Sequence, residues 1–280
     1  MTRRVHGRCA VPDVRTSVRS PGVLLSVAVL LFVLLAALVP ELFTSQDPIS
    51  GVPAERLSGP SAAHLFGTDQ TGRDLFARVV HGAALSLQAT VLAVLVSLVA
   101  GAALGVLAGF LGGWVDSLVM RVVDVLQAIP AILLSLALVT ALGFGTTNVA
   151  IAVGVSNLAA FARLMRAEVL RVKTGVFVEA ARAAGVRWTG VLGRHVLPNA
   201  TGPVLALATV TFGTAVLEVS ALSFLGFGAT PPAPEWGALV AGGRSFLATA
   251  WWLTTFPGVT VAAVVLAANR LAQAFERGGR

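Results

Sequence analysis

The sequence predicts an all-α polytopic membrane protein with six transmembrane helices and with both termini in the cytoplasm. Of its 280 residues, 56% are hydrophobic and only 12% are charged, whereas soluble domains carry about 25% charged residues. Six apolar runs have about the length that a helix needs to cross the hydrocarbon core of a bilayer. No segment between them shows the sustained alternation of apolar and polar residues that is typical of a membrane β-barrel.

The first apolar run, residues 23–39, is uncharged and follows a basic N-terminal tail, residues 1–22. A signal peptide begins in the same way, but this run is long and no small-residue cleavage site follows it, so we interpret it as an uncleaved helix. A loop rich in Gly, Pro, Ser and Asp comes next, at residues 40–82. The remaining five spans fall within residues 83–270, ahead of a cytoplasmic tail at residues 271–280. We predict them at residues 83–110, 117–142, 149–164, 202–222 and 251–268.

The distribution of Lys and Arg sets the predicted orientation. If the N-terminus is inside, sixteen of the twenty basic residues lie on the cytoplasmic side, which is the side that basic residues favour. The same preference explains the net charge of +7, so no nucleic-acid partner is expected. The single cysteine, Cys9, excludes an internal disulfide bond.

Small residues recur at every fourth position of the second predicted span. They are Ala93, Ser97, Gly101, Gly105, Gly109 and Gly113. Such a stripe lets two helix backbones approach closely in lipid. It indicates either packing within this chain or an interface with a partner subunit, and the sequence alone does not decide between them.

The predicted spans contain few ionisable residues. Arg121 and Asp124 lie three residues apart, on one helical face, and are expected to pair with each other. Pro130 and Pro257 predict kinks in the third and sixth spans. Glu218 lies in an apolar stretch without a basic neighbour in sequence. Such a residue usually faces a bundle interior or an aqueous path, so Glu218 is a candidate for a translocation or gate residue. The alternative is an interfacial glutamate near the outer end of the span.

The cytoplasmic loop at residues 166–199 contains a short predicted helix, residues 177–184. Its apolar face consists of residues spaced at i, i+3, i+4 and i+7, namely Phe177, Ala180, Ala181 and Ala184. Glu179 lies beside this face, and Gly185 follows as a C-terminal cap. A helix this short is marginal alone. It could dock on another protein, or lie on lipid headgroups through the basic residues around it, and composition favours neither.

Three separated motifs extend this interpretation. Residues 179–185, Glu-Ala-Ala-Arg-Ala-Ala-Gly, with Leu-Pro-Asn at 197–199, look like the EAA loop of permeases from binding-protein-dependent ABC importers. Residues 67–74, with the Gly-Thr-Asp and Gly-Arg-Asp triplets, and residues 222–237, with Leu-Ser-Phe-Leu-Gly and Glu-Trp-Gly, resemble two further motifs of one branch. The chain thus resembles the C-type permease subunit of the dipeptide, oligopeptide and nickel importers.

This resemblance implies a type I ABC importer permease fold in the inner membrane and transport by alternating access, with di- or oligopeptides as the expected solutes. It implies that the short helix is a coupling helix that docks on a cytosolic ATPase. The coupling residues would be Phe177, Glu179, Ala180, Ala181, Ala184 and Gly185. It also implies a second, homologous permease subunit and an extracytoplasmic solute-binding protein as partners.

The sequence lacks the motifs of catalysis. Lys173-Thr174 is the only Lys followed by Ser or Thr, and Val172 stands where a P-loop requires Gly. We therefore expect no cofactor in this chain, with ATP and magnesium bound by the partner ATPase. No metal site is expected either, because the four His residues are scattered. An alternative function is a self-contained secondary carrier or channel of six helices, which the scarcity of charge in the spans disfavours.

Overall fold

The computed structural model describes residues 21–278, with side chains described up to residue 274. Within this range the structure is helical, and an isolated bridge between Thr68 and Asp74 is the only paired extended backbone. The main helices are α1 (Pro21–Leu38), α2 (Leu75–Leu111), α3 (Gly113–Ala128), α4 (Ala131–Leu142), α5 (Thr146–Lys173), α6 (Val176–Ala183), α7 (Trp188–Phe224), α8 (Trp236–Gly243) and α9 (Trp252–Gly278).

Five of these helices are long and apolar enough to cross a membrane, namely α1, α2, α5, α7 and α9. Helices α3 and α4 satisfy the same test only as a pair, and they are bent by 97° at the break between them. With this pair counted as one span, the six predicted spans are all present among the described residues. The third, however, is not one kinked helix.

Pro130 accounts for the break in the third span. Helix α3 ends at Ala128, Ile129 has an extended backbone, and Pro130 caps the start of α4. A proline lacks the backbone N–H that would continue a helix, and it disfavours helical backbone at the residue before it. The predicted kink is therefore confirmed at Pro130, and it is sharp enough to end one helix. By contrast, Pro257 lies inside the continuous α9.

The stripe of small residues in α2 packs against α5. A Cβ atom added at Gly101 would lie 2.6 Å from the Leu158 carbonyl oxygen of α5, and one added at Gly109 would lie 3.0 Å from the Arg166 carbonyl oxygen. The approach at Gly101 is closer than a Cβ atom allows, and the approach at Gly109 is tighter than most Cβ contacts. The stripe from 93 to 109 therefore serves packing within the chain, whereas a Cβ atom at Gly113 would contact nothing.

Helix α1 lies at the edge of the bundle, against α2 and α9. It buries only Ser26, Val33 and Ala36, and apolar side chains such as Leu25 and Leu31 stay more than half exposed. In water this surface would be unfavourable, but hydrocarbon accepts it. In this structure the first span is therefore a lipid-facing helix of the bundle.

Asp69 organises the loop that precedes α2. Its carboxylate accepts hydrogen bonds from the backbone N–H and hydroxyl of Thr71, at 2.8 and 2.7 Å, and from Nε of Arg73 at 2.7 Å. Burial raises the pKa of Asp69, but these hydrogen bonds outweigh burial and leave the pKa of the carboxyl below its ordinary value. The ionised carboxylate therefore holds the 67–74 motif in a compact turn.

The same motif joins the loop to the bundle. The Asp74 carboxylate caps α2 by accepting a hydrogen bond of 2.7 Å from the Ala77 N–H, as expected of a helix N-cap. The buried Arg78 guanidinium donates to the carbonyls of Pro48 and Pro232, at 2.6 and 3.2 Å. It therefore bridges the loops that precede α2 and α8.

Candidate coupling surface and membrane site

The short helix predicted within residues 166–199 is present as α6, and it begins and ends one residue earlier than predicted. It spans Val176–Ala183, and Ala184 is its C-terminal cap. Gly185 follows with a φ of +80° and donates its N–H to the Arg182 carbonyl at 2.9 Å. Because only glycine adopts this left-handed backbone without strain, Gly185 fixes the direction in which the chain leaves α6.

One side chain fastens α6 to the bundle. Val178 is fully buried, in a cluster with Val172 of α5 and Val191 and Val196 of α7. The predicted apolar face points away from this anchor, since Phe177, Ala180 and Ala184 are exposed and Ala181 is half-buried. The sequence interpretation missed Val178 because it assigned the apolar residues of the short helix to a single face. The aliphatic residue between Phe177 and Glu179 was the available signal.

The residues that flank α6 contact the C-terminal end of α2. The ammonium group of Lys173, the last residue of α5, donates a 2.7 Å hydrogen bond to the Phe110 carbonyl and lies 5.6 Å from the centre of the Phe110 ring. A helix C-terminus has unpaired carbonyls and attracts cations. Trp188, which follows α6 at the start of α7, lies 6.1 Å from the same ring. The segments before and after α6 therefore both contact Phe110.

Two ion pairs fasten α3 to α5. Arg163 donates to Asp124 at 2.6 Å, and Arg166 donates to both carboxylate oxygens of Asp116 at 2.5 and 2.6 Å. The predicted pair of Arg121 with Asp124 is therefore wrong, because Asp124 turns to the arginine of the neighbouring helix. Arg121 is exposed, and no acidic side chain among the described residues lies within 4 Å of it.

Glu218 meets another polar side chain between α5 and α7. The amide nitrogen of Asn157 donates a 2.6 Å hydrogen bond to its carboxylate. The hydroxyl groups of Ser135 on α4 and Ser156 on α5 lie 2.8 Å apart, beside Asn157 in the chain. Glu218, Asn157 and Ser156 are all half-buried. Together with Ser135 they form a small group of polar side chains inside the bundle.

Residues 101–280 match the family model described as the inner membrane component of binding-protein-dependent transport systems. The chain belongs to this family of permeases. The family confirms the predicted type of membrane subunit, which works with ATPase and solute-binding partners in a membrane. The permease is therefore a multi-pass membrane protein of a binding-protein-dependent ABC importer.

Several curated relatives are permease proteins of peptide or glutathione transport systems. The dipeptide transport system permease protein DppC of Alkalihalophilus pseudofirmus is 43% identical over 86% of this permease and 79% of its own length. The di/tripeptide transport system permease protein DppC of Pseudomonas aeruginosa is 42% identical over 78% of this permease and 72% of its own length. The glutathione transport system permease protein GsiD of Pectobacterium atrosepticum is 42% identical over 76% of this permease and 71% of its own length.

Solved structures confirm the predicted fold class. A chain of the MetNI methionine ABC transporter in an inward-facing conformation aligns with a TM-score of 0.54 at 22% identity, over 70% of this permease and 95% of that chain. A chain of an amino acid ABC transporter aligns with a TM-score of 0.56 at 18% identity, over 71% of this permease and 93% of that chain. The fold of the permease is therefore that of an ABC importer membrane subunit.

Proposed function

We propose that this permease carries di- or oligopeptides into the cytoplasm by alternating access, driven by ATPase subunits that dock on α6. The observation that carries the proposal is the exposed face of α6, which is anchored from behind by Val178. The named functions of the relatives, dipeptide, di/tripeptide and glutathione transport, support peptides as the solute class. The permease itself would hydrolyse no ATP, and both of its termini would be cytoplasmic.

The position of α6 favours a protein partner over lipid headgroups. From residue 83, where the second predicted span begins, α2 continues for 27 residues to Phe110, or about 40 Å at a rise of 1.5 Å per residue. The hydrocarbon core is only about 30 Å thick. Lys173 contacts Phe110 directly before α6. With residue 83 at the outer edge of the hydrocarbon and α2 along the membrane normal, the short helix would lie roughly 10 Å beyond the hydrocarbon, past most of the headgroup layer, where an ATPase can reach it.

A second, homologous permease would complete the path. Helix α3 buries only Val123, so the bent pair of α3 and α4 leaves a broad apolar surface without a partner among the described residues. Its exposed members include Leu118, Val122, Val125, Ile132 and Leu133. This surface would face the second permease or the lipid around it.

Reconstitution tests the proposed function. We expect proteoliposomes that contain this permease, the second permease and the ATPase subunits to accumulate a labelled dipeptide when ATP and the solute-binding protein are supplied on their respective sides. Omitting the ATPase subunits or the binding protein should each abolish accumulation. Equal uptake by the permeases alone, without ATP, would contradict the proposal and favour a secondary carrier.

Lys173→Met should loosen the contact between α2 and the end of α5, directly before α6. The substitution keeps an unbranched apolar side chain but removes an ammonium group that caps α2, an interaction worth about 1–2 kcal/mol. We expect the ATPase to remain bound while the number of ATP molecules hydrolysed per peptide rises several-fold. The matched control is Arg171→Met, which removes an exposed charge paired only with Glu168. If Lys173→Met hydrolysed the same number of ATP molecules per peptide as the wild type, the contact between Lys173 and Phe110 would not transmit motion.

A further inference from the structure

The carboxylate of Glu218 has no counter-ion in the described part of the bundle. Among residues 21–274, no Lys, Arg or His side chain lies within 4 Å of it, and Asn157 is the one side chain that donates a hydrogen bond to it. An ionisable residue inside a membrane is costly unless it is paired or serves a path. The counter-charge is therefore expected to come from outside the described residues.

The carboxylate is open toward the surface of α7 rather than sealed within it. Glu218 is half-buried, and Thr214, which lies one turn before it on the same helical face, is exposed. The Asn157 amide nitrogen occupies only the Oε2 oxygen. The Oε1 oxygen accepts no hydrogen bond from the described residues, so a group that approaches this face can reach it.

An organic ammonium group fits these acceptors better than a metal ion does. No group of three or more His, Cys, Asp or Glu residues within the described range could hold a metal, and Ca²⁺ or Mg²⁺ requires about six oxygen ligands. A primary ammonium group needs fewer oxygen acceptors, since it has only three N–H donors. Its hydrogen bond to a carboxylate is charge-assisted, and such bonds are roughly twice as strong as neutral ones.

We propose that Glu218, held in place by Asn157, binds the ammonium group of the solute as it passes along the exposed face of α7. This inference rests on the proposed function, in which the solute is a peptide with a free amino terminus. The Asn157 hydrogen bond fixes the carboxylate rotamer and leaves Oε1 for the solute. A single charged contact suits a transport path, because the solute must leave again.

Glu218→Gln tests this site, because it keeps the shape and the Asn157 contact but removes the charge. In proteoliposomes with the complete complex and saturating, peptide-loaded binding protein, we expect dipeptide uptake to fall by at least about tenfold. Hydrolysis of ATP stimulated by the binding protein should stay near the wild-type rate. Glu218→Asp should recover part of the uptake. Thr214→Val, on the same exposed face, is the control and should transport normally.

Two outcomes overturn the assignment. Wild-type uptake by Glu218→Gln would show that the charge does not serve the solute. Loss of the second permease from purified Glu218→Gln complexes would show that the carboxylate pairs with a cation of that subunit instead. Failure of the proposed function would look different, because wild-type proteoliposomes themselves would then show no ATP-dependent uptake.

Discussion

Gly105→Val is expected to prevent the permease from accumulating in the membrane. A Cβ atom at residue 105 would lie 2.7 Å from the Cβ atom of Met165 and closer still to the carbonyl oxygen of Ala162. The second of these is backbone of α5, which cannot move without separating α2 from α5, the most extensive helix pair of the bundle. Overpacking of this kind costs on the order of 3 kcal/mol, a large part of the stability of a typical domain.

The measurement is the amount of permease in isolated membranes and its thermal stability in detergent. Gly258→Val is the matched control, because Gly258 is also a glycine of a membrane helix but has open space where its Cβ atom would lie. It should accumulate normally. If Gly105→Val accumulated as well as Gly258→Val, the close packing of α2 against α5 would be wrong.

Ala180→Asp is expected to abolish uptake while leaving the permease folded. Ala180 is exposed on α6, so a carboxylate there costs the isolated chain little. In a docked complex the same charge would be desolvated without a partner, which typically costs several kcal/mol. We expect uptake to fall by more than about tenfold, and the ATPase subunits to be lost during purification.

The control for this substitution is Ala54→Asp, the same change at an exposed residue of the loop before α2. It should transport peptide and retain the ATPase. Normal uptake by Ala180→Asp, with the ATPase still bound, would remove α6 from the coupling mechanism.

The existence of the membrane helices could be predicted from the sequence, but their ends could not. Hydropathy marks the part of a helix that lies in lipid, whereas the helix continues in water until a cap or a break ends it. Helix α5 therefore extends to Lys173 rather than residue 164, and α7 begins at Trp188 rather than residue 202. The break at Pro130 was predictable because its cause is local.

The contacts between helices were not predictable, because their partners are distant in sequence. Asp124 pairs with Arg163, which is 39 residues away, instead of the nearby Arg121. Lys173 donates a hydrogen bond to the carbonyl of Phe110, which is 63 residues away. For Asp124 a local pattern was available, but the tertiary arrangement of α2, α3 and α5 decided both partners.

Cross-linking from α6 tests the central claim most directly. A cysteine at Ala180, introduced into a Cys9→Ala chain and carrying a photoactivatable group, should form adducts with an ATPase subunit in membranes that contain the whole transporter. A cysteine at the buried Val178 should form none. Adducts from position 180 with phospholipid alone, in membranes where the ATPase is present, would contradict the proposed docking of α6.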